Sequence, residues 1–436
     1  MSDQESEEHD ATTMPPSPPS PPSSPTSMPS WLQNALRSRA YINKVIDTLN
    51  ERERTRELVR STTRHNDAKK SRRSQLRQAF SSSPSVPKRL AEHYCVEFGS
   101  RPENQYENRY LAIEPFDRTR VIVPSDSEPR ERYLNANWVR ELHGGRWWIA
   151  TQAPLPNTAH AFLSLFLQPD TRPPAHLARP DSLPPGPCRV RTAVQLTLAS
   201  EGGRTKAHPY FPAEISQTLV VPPPNGSSFP ALKITLEEQH KEPFACCVQS
   251  TLRLIPCAIS RGEPDALPHG KVDEIGDATR FTHLLFTRWP DFGVPDGPEE
   301  KASLLSFLRL VISTNHSPPF ASDSPTTSLY PDPPITVNCS AGVGRTGCFI
   351  ALTSLLRSHG LLSPDYPRSS PADFPLLLAS PQGPLPEELN GDEVAAEIDA
   401  LREQRPSMVQ RPEQHLLIYE LLAAVYHENK ARSQSF

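Results

Sequence analysis

Residues 337–347, with the sequence VNCSAGVGRTG, carry the strongest structural signal in this chain. The apolar run 335–337 predicts a buried strand, and the apolar-periodic segment 348–356 predicts a helix. Glycines in the connecting loop let it curl until its backbone N–H groups converge, and the positive end of the helix N-terminus points to the same place. The stretch therefore predicts an anion-binding loop at a strand–loop–helix junction, which we call the cup (residues 339–345).

The side chains at the two ends of the cup point to chemistry on a phosphate ester. Arg345 carries a planar guanidinium that can bind two phosphate oxygens at once. Cys339 lies where positive charge collects, so it should lose its proton easily and act as a nucleophile. The residues between them are predicted to line the phosphate-binding site: Ser340, Ala341, Gly342, Val343 and Gly344.

The spacing from cysteine to arginine is weak evidence by itself, because the chain contains it twice more, at 95–101 and 247–253. Residues 247–253 contain no glycine and predict an extended strand. Residues 95–101 include a glutamate, which would repel phosphate. Only the cup combines glycines, a preceding strand and a following helix, so the context carries the prediction.

Residues 339–347 resemble the signature of the protein tyrosine phosphatase family, in its soluble, non-receptor, phosphotyrosine-specific form. That signature is His-Cys, five residues, and Arg-Ser/Thr-Gly. Six further segments resemble the family in its order along the chain: 108–117, 133–137, 151–158, 201–212, 289–295 and 408–414. The resemblance covers about residues 88–428. It implies an α/β (α+β) fold, with a central, twisted, mixed β-sheet flanked by helices on both sides and the cup at a strand–loop–helix junction.

The same resemblance implies roles for individual residues. Asp291, in the segment WPDFGVP, resembles the proton donor of a mobile acid loop. Gln410 resembles the residue that positions the attacking water, and Thr346 resembles a hydrogen-bond donor to the leaving thiolate. The remaining substrate-binding roles fall to Tyr110, as a wall for the phenyl ring, and to Asn108, Phe292, Gln414 and Lys206.

Several of these residues also have a structural interpretation. Asp291 alone is typical of a turn in a Pro/Gly-rich loop, and Tyr110 alone is typical of a packed aromatic. Gln410 and Gln414 alone are ordinary polar residues near the start of a helix predicted over 414–424. The simplest interpretation of the remaining polar residues is a solvated pair of Glu201 with Lys206 and a structural role for Arg109.

The implied reaction is hydrolysis of protein phosphotyrosine through a cysteinyl-phosphate intermediate, with regulation of phosphorylation-dependent signalling. No cofactor or metal is expected, because the cup and Arg345 supply the positive charge. Two alternatives stay open: a phosphotyrosine-binding pseudophosphatase, and a dual-specificity or lipid phosphatase. The presence of Asp291 and Gln410 argues against the first, and the Asn-Arg-Tyr segment 108–110 argues against the second.

Two positions depart from the family pattern. Position 338 is Asn where the family has His, and an amide cannot carry the charge that helps to tune the thiol. We therefore expect Cys339 to be less acidic than in His-containing relatives. Leu111 and Ala112 follow Tyr110 where the best-studied members have an Asp that binds the peptide backbone, so peptide binding is expected to be weaker or to use other groups.

Proline is the unusual component of this 436-residue chain, with 51 residues. Residues 1–30 are predicted to be a disordered Pro/Ser-rich N-terminus. The other proline-rich blocks are predicted to be solvent-exposed insertions in the catalytic domain: 169–187, 262–270, 316–334 and 363–388. The blocks are interpreted as spacers, with recruitment of SH3- or WW-type domains as the alternative.

Between the N-terminus and the catalytic domain, residues 31–87 are predicted to form a helical extension and linker, with a helix over 31–60; residues 429–436 are predicted to be a tail. The linker contains a short basic cluster at 69–73, interpreted as a solvated face with a nuclear-import signal as the alternative. Seven cysteines, an odd number, favour a reducing compartment. The acidic N-terminus is not typical of a signal peptide. We therefore expect a cytoplasmic monomer that binds phosphotyrosine-containing proteins, not nucleic acid or membrane.

Overall fold

The strand that precedes the cup lies near the middle of a mixed sheet. The computed structural model describes residues 27–64, 86–123, 132–178, 187–259, 272–290, 293–318, 330, 332–362 and 379–433. In these ranges the α-helices are α1 (Ser30–Arg37), α2 (Arg39–Thr63), α3 (Lys88–His93), α4 (Ala159–Leu167), α5 (Pro298–His316), α6 (Gly344–Ser358), α7 (Glu393–Gln404) and α8 (Pro412–Ser433). Short 3₁₀ turns occur at Pro102–Glu107, Asp117–Thr119 and Glu387–Leu389.

Most of the strands follow one another between α4 and α5. The strands are β1 (Ala136–Arg140), β2 (Trp147–Thr151), β3 (Thr192–Gln195), β4 (Ser200–Glu201), β5 (Arg204–Thr205), β6 (Thr218–Val221), β7 (Ala231–Glu242), β8 (Cys247–Ile259), β9 (Val272–Glu274), β10 (Thr279–Phe286) and β11 (Ile335–Asn338). The main sheet has the order β1-β2-β11-β3-β10-β8-β7-β6, with β9 paired to β8, while β4 and β5 form a separate hairpin. Strands β2, β11, β3 and β10 are parallel neighbours, and the outer pairs are antiparallel.

The parallel centre is covered on both faces, as parallel strands require. Trp148 on β2 and Val337 on β11 lie in one core with residues of α1, α2 and α5–α8. Ile149, the next residue on β2, lies in a second core together with Phe162 and Phe166 of α4. The predicted mixed sheet with helices on both sides is confirmed, although most of the helices pack on one face.

Some predicted elements differ from the structure in extent. The alternation of Val190, Thr192, Val194, Leu196 and Leu198 predicts a strand over 189–198 with one apolar face, but β3 covers only Thr192–Gln195. Ala193 and Val194, which are adjacent residues of β3, lie in different cores because both faces of this central strand are buried. The predicted tail overlaps α8, which continues to Ser433.

The helical extension forms two helices instead of one. Ser38 separates α1 from α2, and its side chain accepts a hydrogen bond from Tyr41 N at 3.1 Å, as an N-cap does. Ile42, Val45 and Leu49 on one face of α2 are buried in the core that contains the cup. The extension is therefore packed against the part of the chain that carries the candidate site.

Parts of the proline-rich blocks also pack on the domain, contrary to the prediction of exposed insertions. Leu177 and Ala178 are buried in the second core, and Thr171 N donates to Cys188 O. In the last block, the carbonyl oxygen of Gly383 accepts a bond from Arg52 of α2. Burial of these apolar side chains offsets the cost of ordering the extra chain.

Several predictions lie wholly or partly outside the described residues. They concern residues 1–26 of the N-terminus, residues 65–85 of the linker with its basic cluster at 69–73, the block 262–270, residues 179–186, 319–329, 331 and 363–378 of the other blocks, and residues 434–436 of the tail. Across the described ranges, none of the helices combines the length and the apolar character needed to cross a bilayer.

Candidate active site

The cup connects β11 to α6, and its backbone is turned so that its carbonyl groups point outwards. Ser340 O accepts from Ala153 N at 3.0 Å, and Val343 O accepts from Gly347 N at 2.8 Å. The carbonyl oxygens of Ala341 and Gly342 accept from the guanidinium of Arg405 at 3.0 and 2.8 Å. Since consecutive carbonyls are bound from outside, the peptide N–H groups are left to face the interior of the loop, which is the arrangement that an anion requires.

Cys339 lies at the base of the cup and is only 6% exposed. Burial alone would raise the pKa of its thiol. The hydrogen bond from the Thr346 hydroxyl, the charge of Arg345 and the N–H groups of Thr346 and Val343 outweigh burial and lower this pKa below its ordinary value. The Thr346 hydroxyl is buried and bonds to no other group among the described residues, so it is available to the sulfur of Cys339. The hydrogen bonds and the charge of Arg345 therefore favour the thiolate form of Cys339.

Replacing Thr346 with valine is expected to raise the pKa of Cys339 by about 1, because one hydrogen bond to a charged group is lost. The thiolate then forms only at higher pH, so alkylation of Cys339 by iodoacetate slows by about tenfold at a pH below the pKa of the thiol. The measurement is the alkylation rate against pH. Thr346→Ser, which keeps the hydroxyl, is the control and should follow the wild-type profile. Identical profiles for the valine and serine variants would contradict this account.

Arg345 is oriented by a bidentate ion pair. Its two terminal nitrogens donate to Oε1 and Oε2 of Glu201 at 2.7 and 2.8 Å, and the Glu201 side chain is buried while that of Arg345 is 12% exposed. Two further bonds go to the carbonyl oxygens of Leu196 and Pro290, each at 3.1 Å. The guanidinium is therefore fixed over the cup, and its contact with Pro290 joins it to the segment before Asp291.

The expected solvated pair of Glu201 and Lys206 is wrong. Glu201, on the β4–β5 hairpin, is buried, and besides Arg345 it accepts from the Thr197 hydroxyl and Leu198 N at 2.8 and 3.1 Å. Arg345 and these two donors lower the pKa of Glu201 against the opposing effect of burial. Lys206 contributes its backbone carbonyl, which accepts from the Ser340 hydroxyl at 2.8 Å. Sequence adjacency could not show which cation the carboxylate would bind.

Arg405 is a residue of the site that the sequence analysis missed. Its guanidinium is fully buried behind the cup and also donates to the side-chain oxygens of Asn137 and Asn135 at 2.8 and 2.9 Å. Burial lowers its pKa to about 10, which leaves it charged at neutral pH. It binds the backbone carbonyls of the cup and thereby keeps the N–H groups directed inwards. The one available signal, an arginine five residues before Gln410, has no meaning until the fold is known.

Tyr110 lies at the mouth of the cup. Its hydroxyl lies 2.8 Å from the Ser340 hydroxyl, and the side chain is 40% exposed. Leu111, the next residue, is 72% exposed, and Ala112 is exposed as well. The mouth on this side is therefore formed by a half-exposed aromatic ring and apolar neighbours.

Asn108 and Arg109, the two residues before Tyr110, fix its position. The Asn108 amide donates to Gly99 O and Asn104 O, and its oxygen accepts from Tyr133 and Asn135 at 2.6 and 2.8 Å. All the bonding capacity of its side chain is thus used in the framework, and Asn108 offers its side chain to no ligand.

The predicted structural role of Arg109 agrees with its bonds. Its guanidinium donates to the carbonyl oxygens of Ala153 and Pro154 at 3.1–3.2 Å, and to His208 Nδ1 at 2.9 Å.

Gln410 and Gln414 both lie against Gly344, the first residue of α6. A Cβ at Gly344 would be 3.5 Å from Cβ of Gln410 and 3.1 Å from the amide of Gln414. Gln410 is exposed, whereas Gln414 is buried and accepts from Arg411 N at 3.1 Å. The fold thus brings the segment 408–414 to the edge of the cup.

Asn338, the departure from the family pattern, is buried at the end of β11. Its amide donates to the backbone oxygen of Cys339 at 3.1 Å. It therefore binds the outside of the cup through a neutral group.

Asp291 and Phe292 lie outside the described residues. Trp289 and Pro290 immediately precede Asp291. Trp289 is buried in the core beside Phe286, and the carbonyl oxygen of Pro290 accepts from Arg345. In the part of the chain that the structure describes, no group of three or more His, Cys, Asp or Glu side chains is arranged to hold a metal ion.

Comparison with known proteins gives one matching family model, described as protein-tyrosine phosphatase, over residues 104–173 and 188–360. The Lar-like tyrosine-protein phosphatase of Caenorhabditis elegans is 28% identical over 330 residues, which are 76% of this chain and 11% of that protein. The human tyrosine-protein phosphatase non-receptor type 14 is 25% identical over 350 residues, which are 79% of this chain and 23% of that protein. The chain thus spans a quarter or less of the length of these two relatives.

A similar solved structure is the catalytic domain of human protein tyrosine phosphatase non-receptor type 18. It is 24% identical, with a TM-score of 0.47, over 75% of this chain and 87% of that one. The family match includes the cup, whereas Arg405, Gln410 and Gln414 lie beyond the residues that the family model matches.

Proposed function

This chain belongs to the protein-tyrosine phosphatase family, whose model matches more than half of it, and on that premise we propose that it hydrolyses phosphotyrosine on proteins. The observation that carries the proposal is the environment of Cys339. A thiol with a lowered pKa lies below inward-facing N–H groups and beside a guanidinium held by Glu201. Such a site attracts the phosphate dianion and supplies a nucleophile to it.

In the first step, the Cys339 thiolate attacks phosphorus and forms the S–P bond while the bond from phosphorus to the aryl oxygen breaks. Arg345 and the N–H groups of the cup bind the equatorial oxygens, where negative charge increases. Asp291 is assigned as the acid that protonates the departing tyrosine oxygen, on the strength of its sequence context and of the contact between Pro290 and Arg345. The ring of the substrate would stack on Tyr110 and Phe292.

In the second step, water attacks the cysteinyl phosphate, the S–P bond breaks, and inorganic phosphate leaves. Asp291, ionised by the first step, takes the proton of this water. Gln410 orients the water, and Gln414 lies behind Gln410. The thiolate is the leaving group, so the same Thr346 bond that lowers the pKa of Cys339 assists this departure. Lys206 is assigned to the rim of the substrate site.

Turnover assays of the purified protein test the proposal. It should hydrolyse p-nitrophenyl phosphate and phosphotyrosine peptides, and should act on matched phosphoserine peptides at least about 100-fold more slowly, since a shorter phosphoserine cannot reach the bottom of the cup while its chain stays at the mouth. Binding without turnover would identify a pseudophosphatase instead. Equal rates on the two peptides would identify a dual-specificity enzyme.

Replacing Asn338 with histidine is expected to move the ascending limb of the pH–rate profile of kcat/KM to lower pH. A protonated imidazole near the cup adds positive charge, favours the thiolate and lowers the pKa of Cys339 by about 1. On acidification, the histidine variant would then lose its activity at a lower pH than the wild type does. Asn338→Gln, a neutral amide, is the control. An unchanged limb in the histidine variant would show that position 338 does not tune the thiol.

We further propose a cytoplasmic monomer that acts in phosphorylation-dependent signalling. All seven cysteines are free, which suits a reducing compartment. Recruitment of SH3- or WW-type domains by the proline-rich blocks remains the second proposal for those segments, after a role as spacers. Size-exclusion chromatography with light scattering tests the oligomeric state, and binding assays with isolated SH3 and WW domains test the recruitment.

A further inference from the structure

The segment 406–410, which ends at Gln410, has an unfavourable backbone conformation. Ser407 has φ +58° and Val409 has φ +53°, although neither is glycine. The left-handed region is unfavourable for any residue except glycine, and it is least suited to a β-branched side chain such as valine. Such a backbone persists only where surrounding groups hold it in place.

Three contacts hold the second half of this segment. Arg402 of α7 donates to the carbonyl oxygens of Met408 and Val409 at 2.8 and 2.7 Å. Val409 N donates to Val343 O of the cup at 3.3 Å. The N–H group of Val409 is therefore bound to the cup, and its carbonyl group is bound to Arg402.

The first half is held from the N-terminal extension. Oε1 of Glu53, on α2, accepts from both the backbone N and the hydroxyl of Ser407, each at 3.2 Å. The same carboxylate is paired with Arg60 at 2.9 Å and with Arg56 at 3.5 Å, and both arginines are buried. Arg402 is tied to the same helix, because it donates to Leu49 O at 2.8 Å.

We propose that Glu53 is a positioning residue for the second step of the reaction. By binding Ser407, it holds the strained segment in the conformation that presents Gln410 to the cup. This inference rests on the proposed function, because it assumes a cysteinyl phosphate that water must hydrolyse. It assigns a catalytic contribution to α2, which lies outside the residues that the family model matches.

The position of Glu53 predicts an effect confined to one step. The groups that bind Cys339 and Arg345 come from Thr346, Val343, Glu201, Leu196 and Pro290, and none of these bonds involves α2. Formation of the cysteinyl phosphate should therefore be nearly independent of Glu53. Its hydrolysis, which needs an oriented water, should not.

The test compares three variants of the full-length chain. Glu53→Ala removes the acceptor of both Ser407 bonds. Glu53→Gln keeps an oxygen acceptor but loses the charge that faces Arg56 and Arg60. Glu51→Ala is the control on the same helix, since Glu51 is 71% exposed and its ion-pair partner among the described residues is Arg54.

Acid quenching with ³²P-labelled phosphotyrosine peptide measures the formation of the cysteinyl phosphate, and a chase with unlabelled peptide measures its hydrolysis. In Glu53→Ala, hydrolysis should slow by about tenfold because both Ser407 bonds are lost, while formation stays within about twofold. Glu53→Gln should hydrolyse at close to the wild-type rate, and Glu51→Ala should match the wild type in both steps. The alkylation rate of Cys339 should be the same in all three variants, which shows that the cup is intact.

Each other outcome overturns the inference in a distinct way. Unchanged hydrolysis in Glu53→Ala removes the positioning role. An equal loss in Glu53→Gln assigns the effect to charge pairing with the arginines instead of to the Ser407 bonds. Slower formation in Glu53→Ala indicates a general distortion of the site. If the wild type forms no cysteinyl phosphate at all, the proposed function fails first, and this inference fails with it.

Discussion

Replacing Cys339 with serine is expected to lower turnover of a phosphotyrosine peptide by on the order of 10⁴-fold or more. An alcohol remains protonated where the thiol is ionised, so Thr346, Arg345 and the N–H groups of the cup have no nucleophilic anion to stabilise. Serine is close to cysteine in size, and the buried base of the cup should keep its shape. Steady-state kinetics measure the loss, and isothermal titration with the phosphopeptide should show that binding is retained.

The chain provides a control for this experiment. Cys95 precedes an arginine by the same spacing as Cys339 does, but burial raises the pKa of its thiol to about 11. Cys95→Ser should therefore leave turnover unchanged. Comparable losses in the two variants, or more than about 1% residual activity in Cys339→Ser, would contradict the assignment of the nucleophile.

Replacing Gly342 with alanine is expected to lower kcat by about 100-fold or more and to destabilise the fold by about 2 kcal/mol or more. Gly342 has φ +70°, and a Cβ there would lie 2.1 Å from Thr151 O and 2.4 Å from Thr151 C. The obstacle is backbone of β2, which cannot rotate away as a side chain can. The cup must shift, and its N–H groups would leave their positions around the phosphate.

Denaturant unfolding and steady-state kinetics measure the two effects. Gly276→Ala separates the cost of the backbone angle from the cost of the collision, because Gly276 has φ +78° and, beyond its chain neighbours, no atom of the described residues lies within 4 Å of the added Cβ. That variant should be destabilised only by the cost of the left-handed conformation, about 1 kcal/mol, and should keep its full activity. Equal destabilisation in the two variants would show that contact with Thr151 does not constrain the cup.

Local rules were sufficient for the elements nearest the site. The strand before Cys339 and the helix after Arg345 were predicted from a change in apolar periodicity, and the structure has β11 and α6 there. The strand at 247–253, used as a negative control, lies inside β8. These predictions succeeded because strand and helix periodicity is set by residues that are near in sequence.

Predictions that depended on the environment of a residue were less accurate. One apolar face was expected for 189–198, but both faces of β3 are covered. Leu177 and Ala178 were placed in an exposed insertion on composition, although they are buried. Composition records what a segment contains and not what packs on it.

The amino-acid sequence alone indicated the proposed nucleophile, the loop proposed to bind phosphate and the order of the segments around them, because a few adjacent residues encode a loop that can bind an anion. Only the tertiary structure decided which distant groups hold that loop. Glu201 binds Arg345 from 144 positions away, and Arg405 binds Gly342 from 63 positions away. Hydrogen bonds and ion pairs depend on distance in space, and folding sets that distance independently of separation along the chain.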